Sequence, residues 1–425
     1  MKKYLFTLAV LFAFLLVFTA GCRATEPEPA PTVPVQETVT PKTVEPAPEE
    51  PVDNTPAPAE ETTKPEETRE ESFTMLVVGD NLYHDATLAS AYDPDAGTYD
   101  FTPFYRYVKP YIQAVDLAVA NLEVVIAGKE QRFTGYPESN RPDEALHALK
   151  DAGFDLLLTA NNHSLDRGVP GLVRTIEKIE EYGMLSTGTQ TDPEIRWTDV
   201  EAKGLTIRNM CYTFALNGNE YKMRDDQSYM VNMLDEKMIK AHIDRARMEE
   251  VDLIVVYLHW GVEYVLEPHR WQEEFAVRLF EYGADIIFAT HAHVVQKSEV
   301  HHINGKDRYI IYSTGNFVSN FTRNDTSQRS NKLYTEDGVM VQATFTIRED
   351  NSVILEEVVH IPTWVYIHRD GQDKRRYAII PVKDGEELRS IAFHPMPAME
   401  YMLEEAMASY RRTFERVVDF KRSID

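Results

Sequence analysis

The sequence predicts an α/β protein with buried strands, and three observations point that way. First, short apolar, β-branched runs recur: TMLVVGD, DLAVANLE, FDLLLTANN, LTIRNMCYTFAL, VDLIVVYLHW, ADIIFATHAH, DRYIIYSTGNF and GVMVQATFTI. Second, stretches with helical spacing separate them, at 101–114, 142–152, 169–183, 235–250 and 268–283. Alternation of that kind builds a sheet covered by helices. Third, five runs end in polar motifs: VVGD at Asp80, ANLE at Glu123, TANNH at His163, LHWG around His259, and THAH across His291 and His293. In an open α/β sheet the carboxyl ends of the strands share one crevice, where ligands bind.

The chain opens with a targeting segment. Lys2 and Lys3 precede an almost unbroken apolar run from 4 to 18, then Thr19-Ala20-Gly21 and Cys22. The layout is that of a secretory signal, and its end is similar to a bacterial lipobox with Cys22 as the lipidated residue. Such boxes usually carry Leu where this chain has Thr19. The expectation is an extracytoplasmic, membrane-anchored lipoprotein, held firmly by its several acyl chains. Residues 23–72 contain 11 of the 23 prolines, with 13 acidic against four basic residues. A segment this polar cannot bury enough surface to order itself, so it reads as a linker.

Residues 73–425 form the folded part: 73–335 as the motif-bearing domain, 336–425 as strands and a helix completing or flanking it. From Gly338 the alternation becomes β-like, which predicts antiparallel strands at a sheet edge. An amphipathic helix is expected at 397–416. Gly183 and Gly283 each close an EYG ending and fit helix stops. Cys211 has no disulfide partner once Cys22 is lipidated. The formal net charge of -25 argues against nucleic-acid binding. Bound dications would reverse the sign locally, so an anionic substrate stays open.

The donors come next. Asp80 follows a glycine that lets the chain turn sharply, and His84, four residues on, is a further candidate ligand. Glu123 could bridge two metals, with Asn121 orienting it. Asn162 offers an amide oxygen. His163 could donate to a developing charge or protonate a leaving group, held by Asp166. His259 ends the strongest apolar run, and a buried His is costly unless satisfied. Trp260 is expected as a pocket wall, with Glu263 nearby. His291 and His293 are expected to share one strand face and so reach one cluster. His301-His302 reads as surface. Asn316 in STGNF shapes the pocket, and Tyr264, Arg270 and Arg323 are candidate substrate anchors. Such a set suits one or two divalent ions; carboxylate, amide and imidazole fit Mn, Zn and Fe alike.

The set GDNL, ANLE, ANNHSLDRG, LHWGVEY, THAHVVQ and YSTGNF, over about 74–317, resembles the CapA family of capsule (poly-γ-glutamate) synthesis and anchoring proteins, within the calcineurin-like metallophosphatase superfamily. The resemblance implies a four-layer α/β/β/α sandwich of the metallo-dependent phosphatase type with a dinuclear site. It implies Asp80, Glu123 and His293 at one metal, and Glu123, Asn162, His259 and His291 at the other. It implies His163 as the catalytic acid, supported by Asp166. Two departures stand out. Leu82 occupies a position where the superfamily has His, and Glu123 replaces its bridging Asp. The partners implied are a cell-envelope polymer such as poly-γ-glutamate, the membrane through the lipid anchor, and capsule-synthesis membrane proteins.

Three readings compete. The first is a metal-dependent hydrolase or transferase acting on capsule polymer. The second is a generic metal-dependent phosphoesterase. The third is a non-catalytic, polymer-binding lipoprotein.

Overall fold

The computed structural model describes residues 71–323, 330–382 and 399–422. The targeting segment, Cys22 and the linker up to residue 70 lie outside the described residues. Glu71 and Ser72, read as linker, are instead the first residues of a strand.

In chain order the strands are β1 (Glu71–Asn81), β2 (Tyr92–Asp93), β3 (Thr98–Tyr99), β4 (Leu117–Leu122), β5 (Leu156–Leu158), β6 (Leu185–Thr187), β7 (Thr198–Ala202), β8 (Leu205–Thr213), β9 (Leu253–His259), β10 (Ile286–Thr290), β11 (Ser298–Ile303), β12 (Lys306–Ile311), β13 (Asn316–Val318), β14 (Asp337–Ile347), β15 (Val353–Arg369), β16 (Arg375–Pro381) and β17 (Phe420–Lys421). The helices are α1 (Asp85–Ala91), α2 (Lys109–Ile112), α3 (Glu144–Ala152), α4 (Gly168–Glu181), α5 (Glu236–Met248), α6 (Arg270–Tyr282) and a C-terminal helix, Met399–Phe414.

Two large sheets form. One runs β16-β15-β14-β1-β4-β5-β6, with β13 beside β1 and β17 beside β15; the other runs β11-β12-β10-β9-β8-β7. β1, β4, β5 and β6 are mutually parallel, as are β8, β9, β10 and β12. The expected antiparallel edge is there: β14, β15 and β16 pair antiparallel outward from β1.

The apolar runs are unbroken because each sheet is covered on both faces. Successive side chains of a strand point to opposite faces. Met75, Val77 and Val119 pack against Val255, Tyr257 and Phe288 between the sheets. Leu76, Val78 and Ala118 face outward onto Ile112, Leu146 and Leu149. Ile254, Val256 and Ile287 face outward from the second sheet onto Ile239, Ile243 and Phe275. Helices thus pack on the outward faces of these strands, and the inward faces meet each other. Cys211 is buried and unbridged in the middle of the stack.

Some local expectations needed correction. The helix expected at 101–114 is a short 3-10 turn, Thr102–Tyr105, followed by α2. Pro110 has no N–H to give to an upstream carbonyl, so one helix cannot run through it. The runs SVILEEVVHI and TWVYIH form a single strand of 17 residues, β15, long enough to serve β14 with its first part and β16 with its second. Gly283 ends α6 as expected, with φ of 122° and its N–H given to Leu279 and Phe280. Among the described residues no helix is long and apolar enough to cross a membrane.

Candidate metal centre

The carboxyl ends of β1, β4, β5, β9 and β10 meet at one edge of the stack, and the polar motifs meet with them. Asp80 is placed by a backbone crossing. A Cβ on Gly79 would lie 1.9 Å from the carbonyl oxygen of Gly315, so only glycine lets β13 run against β1 there. Asp80 Oδ1 then accepts from Asn121 Nδ2 at 2.8 Å, and Oδ2 pairs with His293 Nδ1 at 3.0 Å.

Glu123 is fully buried just past β4. Its Oε1 lies 3.5 Å from His259 Nε2 and 3.8 Å from His293 Nε2, yet makes no hydrogen bond. His259 Nδ1 bonds Thr290 Oγ1 at 2.8 Å, while Nε2 lies 3.0 Å from Asn162 Oδ1 and 3.1 Å from His291 Nδ1. Ligand atoms of Asp80, Glu123 and His293 lie within 4.8 Å of one another, and so do those of Glu123, His259 and His291. The two groups share Glu123.

The electrostatics follow from burial. Burial first, then the neighbouring His291 and His293, holds His259 well below the usual imidazole range. Burial, with His293 next, brings His291 down to about 4. Burial would also lower His293, but its bond to Asp80 and that carboxylate's charge outweigh it and raise the group. Burial, then the charge of Asp80, pushes the Glu123 carboxyl well up.

His291 and His293 do not share a strand face. β10 stops at Thr290, and the two histidines sit in a bend with φ of 95° and 56°. Left-handed backbone at two non-glycine residues is uncommon and is held only where the surroundings enforce it. It aims the two rings at different groups of donors. Trp260 is not a pocket wall. It follows His259, so it faces the opposite side of the sheet. There it stacks on Tyr312 at 6.2 Å and meets Trp271 edge-on under α6. Arg270 pairs with Glu274 on the surface of α6, and Arg323 is tied to Glu336 and Glu405, so neither anchors a substrate at the donors.

The other residues lie beside the cluster. Asn121 Nδ2 reaches Glu123 Oε2 at 3.4 Å. Asn316 pairs with Asp80 across β13 and β1 and gives Nδ2 to His293 O at 3.2 Å. Glu263, half-buried, adds negative charge near Glu123, His291 and His293. The Tyr264 ring is 5.8 Å from that of His293. His84 stands apart from both donor groups. Its Nδ1 accepts the Asn320 N–H at 3.1 Å, and its ring is 4.4 Å from Phe321. His163, half-buried, is held through Nδ1 by Asp166 Oδ2 at 2.7 Å. The sequence reading missed Ser139, which grips Asp166, and Thr290, which grips His259. Thr290 was visible in IIFATHAH; nothing near Ser139 marked it.

Residues 74–321, more than half of the chain, match the model of the family described as Bacterial capsule synthesis protein PGA_cap. The chain belongs to that family. It is 28% identical over 305 residues to the Capsule biosynthesis protein CapA of Bacillus anthracis, covering 68% of this chain and 67% of that protein. It is 29% identical over 219 residues to the PGA biosynthesis protein CapA of Bacillus subtilis (strain 168), covering 50% of this chain and 56% of that protein. Among solved structures, a NAD nucleotidase of Haemophilus influenzae is similar at 9% identity with a TM-score of 0.42, covering 84% of this chain and 65% of that one. A 5'-nucleotidase of Candida albicans SC5314 is similar at 11% identity with a TM-score of 0.38, covering 81% and 58%.

The donors of this family member fit divalent ions on their own chemistry. With Nδ1 of His259 donating to Thr290, Nε2 turns a lone pair toward the Asn162 oxygen and Glu123 Oε1. Unshared pairs meeting in a buried space repel unless a cation lies between them.

Proposed function

We propose that this chain is a surface-anchored, extracytoplasmic capsule protein whose two donor groups hold two divalent ions and support hydrolysis or transfer on a cell-envelope polymer such as poly-γ-glutamate. The observation that carries the reading is the sharing of buried Glu123 by two sets of donors. Asp80 and His293 flank it on one side; His259, His291 and the Asn162 oxygen flank it on the other. Bound ions would supply Lewis-acid activation of a carbonyl or phosphoryl group and lower the pKa of water.

The chain's own residues do the rest. Asp80 and Glu123 bring the negative charge that balances the ions. Asn121 holds both carboxylates in register. With Nδ1 of His163 taken by Asp166, Nε2 is the nitrogen left to pass a proton to a leaving group. Family membership supports the capsule role. The signal-like start with Cys22 supports the lipid anchor, and the charge of -25 supports the absence of nucleic acid among the partners. Membrane proteins of capsule synthesis are the expected neighbours of a chain so anchored.

The test is metal content and turnover of the full chain beside a His291→Ala/His293→Ala variant, on poly-γ-glutamate and on a generic phosphodiester. Near-stoichiometric metal with cleavage, both lost in the variant, is the expected result. Cleavage of the phosphodiester alone would favour a generic phosphoesterase. No metal and no difference between the proteins would leave a binding lipoprotein.

A further inference from the structure

A second feature lies away from the donors, on β15 and β16. Two clefts, of about 350 and 340 Å³, lie side by side, with Tyr366 and His368 lining both. Pockets of this size accommodate small ligands or a few units of a polymer. The first cleft is closed on its other side by the 3-10 turn before α2, which brings Phe104, Arg106 and Tyr107. The second carries Arg369 and Arg375.

The chemistry of the walls is uneven. A chain with 69 acidic and 44 basic residues places five arginines, Arg323 among them, around these two clefts and no lysine. The carboxylates beside them are engaged locally. Asp100 Oδ1 caps Thr102 through its N–H and hydroxyl, at 2.9 and 2.6 Å. Asp370 accepts the N–H groups of Gln372 and Lys374 and the Arg376 Nε. Glu336 and Glu405 are taken by Arg323. Arg106 is exposed at the rim, and Arg369, also exposed, pairs with the Asp373 carboxylate at 3.3 Å and donates Nη1 to the Asp373 carbonyl oxygen at 2.8 Å. Such a pair is weak and easily exchanged for another anion. Guanidinium forks match planar carboxylates in two-point contact. The floor between them is aromatic, with the Tyr366 ring stacked on His368 at 5.1 Å. Aromatic floor and guanidinium rim together suit aliphatic stems that end in carboxylates.

The groove also leads somewhere. Its second cleft ends at Thr322 and Arg375. Arg375 and Tyr377 both donate to Asn320 Oδ1, at 2.9 and 2.5 Å, and the N–H of Asn320 goes to His84. The next residue, Phe321, lays its ring 5.5 Å from that of His293. Asn320 and Phe321 thus connect that end of the groove to the donor cluster.

We propose that the two clefts form one groove that binds an extended chain of repeated carboxylates and leads it to the metal centre. This rests on the reading of that centre as acting on an envelope polymer.

The test is equilibrium binding of a fluorescently labelled γ-linked oligoglutamate to the full chain, with metal content measured on the same samples. Arg106→Glu/Arg369→Glu changes two exposed groups outside the donor cluster. It is expected to weaken binding about ten-fold or more, with metal content unchanged. Arg106→Lys/Arg369→Lys, which keeps the charge but loses the fork, should recover only part of the affinity, and rising salt should weaken the wild type. Equal affinity of wild type and the Glu variant, or no binding by the wild type, overturns the groove. Polyphosphate binding as tightly overturns the carboxylate assignment. A wild type that binds oligoglutamate but holds no metal would overturn the metal reading and leave the groove standing.

Discussion

Ser139 gives both its backbone N–H and its hydroxyl to one oxygen of Asp166, at 2.6 and 2.9 Å, and that same oxygen holds Nδ1 of His163. Three donors on one oxygen fix the carboxylate, and the carboxylate fixes the imidazole. Partners of this kind are worth about 10- to 100-fold in activity. Ser139→Ala keeps the N–H and should lower kcat about ten-fold, and Asp166→Ala by more, both with metal content intact. Steady-state kinetics beside elemental analysis decides it. An Asp166→Ala enzyme at full kcat would remove His163 from the chemistry.

Glu123 is the shared member of both donor groups, and the variants should separate accordingly. Glu123→Ala should strip both ions. His293→Ala should cost one equivalent and His291→Ala the other. Metal-to-protein ratios after dialysis against buffer read this directly. Loss of both ions in every variant would mean a cooperative site, and full retention in Glu123→Ala would end the shared-ligand reading.

Gly79 is where β13 touches β1. A methyl group there would collide with the Gly315 carbonyl at 1.9 Å, and backbone cannot step aside as a flexible side chain can. Gly79→Ala should cost about 1–3 kcal/mol of stability and displace Asp80. Metal affinity should fall with it, although no ligand has changed. Urea unfolding and metal titration on the same variant test both halves.

His242, on α5, provides a pH response apart from the donor cluster. Burial first, then Arg196 and Arg245, lowers it from 6.5 to about 4, and its Nδ1 meets the Tyr212 hydroxyl at 2.9 Å. The unfolded chain takes up a proton here below pH 6.5, while the folded chain does so only near 4. Stability contributed by this group is therefore present above 6.5 and lost as pH falls toward 4. The half-exposed ring keeps the effect small. In His242→Gln the fall in unfolding midpoint between pH 7 and pH 5 should shrink. An unchanged fall would show that other groups carry it.

How much was legible follows from what each residue depends on. β9 and β10 could be read from LIVVYLH and IIFAT because burial on both faces leaves an unbroken apolar run. The direction of Trp260 could not be read, since it depends on which face of β9 meets α6. The spacing of His291 and His293 suggested a strand, but the left-handed bend after Thr290 depends on a distant contact, the Asn316 amide of β13 on His293 O. β7, with its alternating exposure, and the three-residue β6 had too little apolar sequence to stand out.

The sequence by itself determined the alternation of buried strands with helices and the polar motifs at the strand ends, because strand burial and strand-end chemistry are local properties of a short run. Only the tertiary structure decided which oxygen Ser139 holds, that His291 and His293 leave the strand in a bend, and that a turn near residue 104 faces a strand near residue 366 across a cleft. Those relationships join segments tens to hundreds of residues apart. Packing of the two sheets sets their distances, and no local pattern encodes them.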